Sequence, residues 1–533
     1  MGVQSLRQTE LPGTRPLYAD LLCNFPGVSQ FYARPPSMRA AQEAASDIRL
    51  DATHRQRLVD ELRRQNADGD AAMEASLDLL SRPGTVVVAT GQQVGVLGGP
   101  AFTLYKALTA VQCARELMRR GTPAVPVFWL ATEDHDLEEV SHAWILGPSS
   151  PPRRLDAATD GDEDAAVGEV RVRDAKLDDL AETLRGLPHA DEAVRLARDA
   201  YACSPTFGEA FRSFYRPLFS GTGLLFLSPM SEGIRTLAAP LVRQAIRRAP
   251  ELSDALLRRG GGLQAAGYHQ QVRFRGSTSL VLLFERAARV ALKRRNGAYW
   301  SRSRAYSRED LLAMLEHSPL AISPNALLRP VMQDYLLPTA ALVAGPSEAA
   351  YLAQSSVLYG ELLGRMPAVL PRASFTVLDG ASRKLLGKYG MSLADCLVPR
   401  SEIEARIASA IVPPPLKDSL AARRGEIRRL LGEMETALGE FDPTLADSFT
   451  VSRSKIEYQL DKIESKVSRE AYRRAGTARR HASTLADFVY PAGHLQERFY
   501  SVPLMLAKFG FDFVGRVSGA IEPGSPDHKV LCG

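Results

Sequence analysis

Residues 85–142, TVVVATGQQVGVLGGPAFTLYKALTAVQCARELMRRGTPAVPVFWLATEDHDLEEVSH, decide the fold. The β-branched run at 85–89 leads straight into a glycine-rich turn, and apolar residues then recur at helical spacing up to Arg120. After Gly121 a second apolar run, 125–131 (VPVFWLA), ends in the polar string TEDHDLEEVSH. Strand, turn, helix, strand, polar loop is the order of a βαβ unit in a parallel sheet. Strands this uniformly apolar suit a sheet covered on both faces. Further strand-like runs lie at 223–227, 279–284, 341–344 and 375–378. Residues 81–378 therefore read as a doubly wound α/β core, with insertions at about 148–215 and 255–320. The Pro-, Asp- and Ala-rich stretch at 148–164 reads as an exposed excursion.

The flanks have a different texture. Residues 1–80 read as a helical, polar-rich segment that packs on the core through Tyr18, Leu21, Leu22, Phe25 and Phe31. Within 379–487, Leu420, Ile427, Leu431, Met434 and Leu438 follow coiled-coil spacing, and Ile456, Leu460, Ile463 and Val467 repeat it beyond Asp442-Pro443. Two long helices with narrow apolar seams predict an antiparallel hairpin, with a plain helical bundle as the alternative. A second seam would join another copy. Residues 488–533 are apolar enough to return to the core.

Composition narrows the function. The chain has 533 residues, 45% hydrophobic and 24% charged, values of an ordinary globular protein rather than a disordered or fibrous one. Lys plus Arg (66) less Asp plus Glu (61) leaves +5, too small a surplus to argue for a nucleic-acid partner. No run approaches the ~18 apolar residues of a membrane span. The five cysteines form no CxxC pair, so no zinc ribbon or dithiol motif is expected, and the cytoplasm is the expected address.

Three segments carry residue types suited to chemistry. The first is the turn at Gly91, Gln92, Gln93 and Gly95, with Thr103 and Lys106 one face along the following helix. Glycines admit close approach of a ligand, and a helix start favours an anion; a tight structural turn is the alternative. The second is Glu133-Asp134-His135-Asp136, directly after a strand, where ligands of open parallel sheets bind. With Glu138, Glu139 and His142 it is able to supply a general base, hold an amine or bind a metal; the alternative is an acid-rich helix start. The third joins Arg329, Gln333 and Asp334 to Gly345, Ser347, Glu348 and Tyr351. Arg329 is a fork suited to carboxylate or phosphate.

The strings TGQQVGVLGGPAFTLYKALTA, PVFWLATEDHDLEEVSH, AGYHQQV, NALLRPVMQDYLLPTAALVAGPSEAAYLAQ, MPAVLPRASFT and LQERFYSVP, with YADLLCNFPGVSQFY near the start, together resemble the BshC family, the cysteine-adding enzymes of bacillithiol biosynthesis. The resemblance implies a Rossmann-like core with connecting insertions and an α-helical coiled-coil domain used for homodimerisation. It further implies a ligase joining L-cysteine to the glucosamine amine of glucosaminyl malate.

That reaction has a chemical requirement. A free carboxylate does not acylate an amine at a useful rate, so the cysteine carboxylate needs activation, which points to ATP and Mg²⁺. Glycine-rich turns and helix starts would steady the phosphates, with Lys106 or Arg329 neutralising them. His135 or Asp136 is the expected base for the amine, and Arg372 a cation for the malate carboxylates. The competing reading is a metal-dependent amidohydrolase acting on an amino-sugar conjugate, with His135, Asp136, Glu139 and His142 as ligands.

Overall fold

The β-branched run becomes a strand, β1 (Val86–Gln92), buried along its whole length except at Gln92. The glycine turn leads into α1 (Phe102–Arg119), and the second apolar run is β2 (Ala124–Leu130), every residue of it buried. A computed structural model gives these positions and describes residues 4–148, 151–161, 164–202, 206–285, 288–302 and 304–533. β3 (Leu225–Leu227) follows after a long excursion. A second excursion holds β4 (Thr278–Glu285), β5 (Ala288–Arg295) and β6 (Ile322–Pro324). The chain then re-enters the core through α2 (Arg329–Leu336), β7 (Thr339–Ala344), α3 (Pro346–Leu363) and β8 (Ala368–Pro371).

The parallel sheet has the order β8-β7-β1-β2-β3. Its register runs from Val86 opposite Ala124 to Gln92 opposite Leu130, with Leu342 of β7 opposite Ala89 on the other side. The α1 face that includes Ala110, Cys113, Ala114 and Leu117 packs on Val86, Val88, Ala341 and Val343, and helical Met38, Ala40 and Ala41 join the same core cluster. The core is thus a Rossmann-like parallel sheet covered by helices.

Two of the strand-like runs lie elsewhere. The run at 279–284 is β4, an inner strand of a separate antiparallel sheet in which β4 pairs with both β5 and β6. The run at 375–378 becomes Ser374–Leu378 in a three-stranded sheet. The short β8, AVLP, was not anticipated, because four residues containing a proline give too little periodicity to see.

Contacts divide the chain into two units: Met1–Thr376 with Glu497–Leu531, and Val377–Gln496. The second unit is helical. Its longest elements, α4 (Pro414–Phe441) and α5 (Pro443–Arg474), form a helical hairpin whose turn is fixed by Asp442, which accepts the Thr444 N–H at 2.8 Å. Leu431 is buried in the hairpin and Leu420, Ile427, Leu438, Leu460 and Val467 are half-buried. Met434, Ile456 and Ile463, placed in the seam by spacing, are exposed instead. Among the described residues no helix is long and apolar enough to cross a membrane.

Candidate active site

In the order β8-β7-β1-β2-β3 the chain leaves β1 towards β2 and later returns on β1's other side as β7. Strand order reverses there, and at such a switch point the ligands of open parallel sheets bind in a crevice beyond the carboxyl ends of the strands. Gly91 and Gln92 end β1 on one side of it; Gly345 and Glu348 open α3 on the other.

Lys106 joins the two. Its ammonium donates to the Gly91 carbonyl and to Gln92 Oε1 at 3.3 Å, and pairs with the Glu348 carboxylate. The side chain is 2% exposed. Burial pulls its pKa below the ordinary lysine value, and Glu348 opposes that shift. An ammonium has three donors, and all three have protein acceptors, which turns the expected phosphate cation into a tie between two strand ends.

Glu348 continues the chain of contacts. Its Oε2 accepts the Gly345 N–H at 3.1 Å, closing the first turn of α3, and its Oε1 accepts the Tyr351 hydroxyl at 3.3 Å. Arg329 donates to the Tyr351 oxygen at 2.6 Å and to Gln333 Oε1 at 3.4 Å. Helical spacing puts Glu348 and Tyr351 on one face of α3, and α2 brings Arg329 and Gln333 to meet it. Gln333 in turn donates to Asp334 at 3.4 Å. Asp334 is fully buried, accepts from Tyr359, and has its pKa raised by that burial, so it belongs to the interior rather than to the crevice. Ser347 is exposed in the first turn of α3.

A second group forms the rim. Gln93 Nε2 donates to Asp134 Oδ2 at 2.9 Å and to Glu139 Oε2 at 2.7 Å, tying the glycine turn to the acidic loop beyond β2. Loss of solvent raises the Glu139 pKa, the Gln93 bond opposes it, and Asp136 and Asp134 add repulsion. Asp134 Oδ1 accepts the His135 N–H at 2.8 Å. Asp136 starts the short helix Leu137–Val140, accepting the Glu139 N–H at 3.0 Å. His135 stands at the mouth with 41% of its side chain exposed. Glu133 points inward, where it is buried against Arg235.

Several expectations change here. The glycine turn is built for packing: a Cβ on Gly91 would stand 2.9 Å from the Trp129 carbonyl, and one on Gly98 (φ +78°) would stand 2.7 Å from the Phe214 ring. Gly95 lies against Gly99 for the same reason. Thr103 is fully buried. The start of α1 is covered, since the Ala101 N–H donates to Tyr500 O at 2.8 Å and the Val502 N–H to Gly99 O at 3.3 Å. Arg372 is buried with its guanidinium on Glu497 at 2.6 Å and stacked over Phe102, so its charge is already neutralised. Among the described residues no three His, Cys, Asp or Glu side chains come together as metal ligands, and His142 Nδ1 is bonded to Glu138 O at 2.8 Å. The amidohydrolase reading finds no support.

Sequence reasoning missed Arg235, Arg289 and Glu497. Arg289 sits in an alternating strand of ordinary composition, ARVALKRR, and nothing local sets it apart. Its Nε donates to Ser323 Oγ at 2.8 Å and its Nη2 to Pro324 O at 2.7 Å, while Nη1 faces His135 Nδ1 at 3.4 Å and Asp134 Oδ1 at 3.7 Å.

Comparison with known proteins agrees with this architecture. Residues 1–373 match the family model for the bacillithiol biosynthesis BshC N-terminal Rossmann-like domain, and residues 375–532 match the BshC C-terminal coiled-coil domain. Relatives named "Putative cysteine ligase BshC" include one from Solibacter usitatus, 41% identical over 99% of both chains. Others are from Koribacter versatilis, 34% identical over 98% of both, and Salinibacter ruber, 32% identical over 97% of this chain and 96% of the relative. With both domain models matched in order and full-length relatives above 30% identity, the chain belongs to the BshC family of bacillithiol biosynthesis.

Proposed function

We propose that this chain is a ligase that condenses L-cysteine with the glucosamine amine of glucosaminyl malate to form bacillithiol. The observation that carries this reading is the continuous polar chain Lys106–Glu348–Tyr351–Arg329 at the switch point, together with the rim Gln93–Asp134–Glu139 beyond β1 and β2. An amide-forming site needs a fork for carboxylate and an acidic edge for an ammonium, and the two groups supply both. Arg329 is oriented by Tyr351 and Gln333 to read a carboxylate. The rim attracts the amino sugar as its ammonium, and His135 and Asp136 stand where its proton must leave. The freed amine attacks the activated carboxyl carbon of cysteine, the C–N bond forms, and the activating group departs with the electron pair of the broken C–O bond.

ATP with Mg²⁺ is the activating co-substrate we propose. The start of α1 is covered by Tyr500 and all three Lys106 donors are taken, so neither fits a phosphate, and Arg329 is the better matched cation. The exposed Leu430, Met434, Val451, Tyr458 and Ile463 of the hairpin suit a second copy of the chain, giving a homodimer. A reducing cytoplasm would keep the thiol product free. Mass spectrometry of the purified protein with cysteine, glucosaminyl malate, ATP and magnesium tests the reading. Bacillithiol accompanied by AMP or ADP supports it; unchanged substrates refute it.

A further inference from the structure

The excursion that carries β4, β5 and β6 forms its own antiparallel sheet, yet one of its side chains reaches the rim. Arg289 is 8% exposed and is held from behind by two acceptors of β6, Ser323 Oγ and the Pro324 carbonyl. That leaves Nη1 as the edge turned to His135. A guanidinium donates and never accepts. The ring nitrogen facing it at 3.4 Å, Nδ1, must therefore offer its lone pair.

The rival arrangement would place a hydrogen on Nδ1 and aim it at Asp134 Oδ1. That separation is 3.6 Å, and the same oxygen already accepts the His135 backbone N–H at 2.8 Å. A hydrogen on Nδ1 would also point at the N–H of Arg289. Both terms disfavour it.

We infer that Arg289 is a positioning residue that holds His135 as the neutral tautomer with its hydrogen on Nε2. His135 then presents a donor to the crevice. In the condensation proposed above, on which this role rests, it donates a hydrogen bond to the oxygen that gains charge as the amine attacks, and the amine's proton goes to Asp136. The second insertion thereby acquires a purpose: it delivers one guanidinium to one imidazole.

Long-range ¹H–¹⁵N correlation on the full-length protein labelled at histidine reads the tautomer without any substrate, with His135→Gln assigning the ring. In the wild type the Nδ1 resonance is expected at the unprotonated position and Nε2 at the protonated one. Arg289→Met removes the donor and lets Asp134 attract a hydrogen to Nδ1, so the pattern reverses. Arg289→Lys retains a donor and keeps most of the wild-type pattern. In the condensation assay Arg289→Met lowers kcat about 10- to 100-fold with little change in KM, and Arg289→Lys recovers part of the loss. A merely structural arginine would shift the melting midpoint and leave the tautomer alone.

A protonated Nδ1 in the wild type, or an unchanged tautomer in Arg289→Met, overturns the inference. If Arg289→Met does not fold, Ser323→Ala decides: loss of the clamp yields a mixed tautomer, and an unmixed one contradicts the assignment. A protein that shows the locked tautomer but makes no bacillithiol would refute the proposed reaction and leave the role of Arg289 standing.

Discussion

The strand ends of the Rossmann-like unit and the helical hairpin of the second unit are both dense in charge, and they use it differently. On the hairpin, Arg424 pairs with Asp461 and Glu464, Arg428 with Glu457, and Arg453 with Glu435, each pair partly open to solvent. Pairs of that kind contribute about 0–1 kcal/mol each. At the strand ends Lys106 and Glu348 are withdrawn from water and each charge has several partners. Charge frequency in a sequence therefore does not locate a site. A charged group engaged below the surface marks fixed geometry instead, because such a group costs desolvation energy that only a fixed geometry offsets.

Substitutions that treat the two regions alike would break this contrast. The largest effect is expected for Lys106→Met, which leaves the Glu348 carboxylate facing Gly91 O without a counter-charge. Removing one partner of a buried pair costs about 3–5 kcal/mol, and condensation should fall by two orders of magnitude or more. Denaturant unfolding alongside turnover measures both; an unchanged unfolding midpoint would mean the pair is not a tie.

Next is a pH effect in the same unit. His528 is fully buried between Ser374 Oγ at 2.7 Å and Thr376 Oγ1 at 2.9 Å, and burial, with Arg372 adding to it and Glu497 opposing, lowers its pKa to about 4. The unfolded chain, with an ordinary histidine near 6.5, binds the proton first as pH falls. Stability is thus full above about pH 6.5 and declines as pH drops towards 4, by about 3 kcal/mol from this group. His528→Gln should flatten that part of the pH–stability curve, read by denaturant titrations at several pH values.

Tyr351→Phe removes the hydroxyl that bridges Arg329 and Glu348. A buried partner left unmatched costs about 1–3 kcal/mol, and a roughly tenfold loss in kcat/KM is expected as Arg329 loosens. The smallest effect belongs to the hairpin. Glu470 lies on the hairpin with 42% of its side chain exposed, its pKa held near 2 by bonds to Arg473 and Arg474. Glu470→Gln should leave the melting midpoint and turnover unchanged, and a substantial loss of either would erase the contrast.

The legible part of this molecule is the part written in local periodicity. Val86–Gln92 and Ala124–Leu130 are apolar throughout because both faces of their sheet are covered, so the βαβ unit could be read directly. The gathering of Arg329, Gln333, Glu348 and Tyr351 was also readable, since each pair lies one helical turn apart. Partners distant in sequence were not. Spacing put Lys106 near the glycine turn but gave no hint that Glu348 would engage its charge, or that Tyr500 would cover the start of α1. Arg372 reads like a free cation until Glu497 is placed against it. Arg289 is invisible for a related reason: an arginine on an alternating strand reads as surface, and only the clamp from Ser323 and Pro324 turns it towards His135. In the hairpin the seam's spacing was readable and its phase was not, which is why Met434, Ile456 and Ile463 lie exposed.

The claim that the switch-point network is where cysteine and the amino sugar meet is tested most directly by the condensation rate of Arg329→Gln against the wild type, at matched fold by circular dichroism. A loss of at least a hundredfold is expected, while Glu470→Gln in the same assay keeps full rate. Wild-type turnover by Arg329→Gln would contradict it.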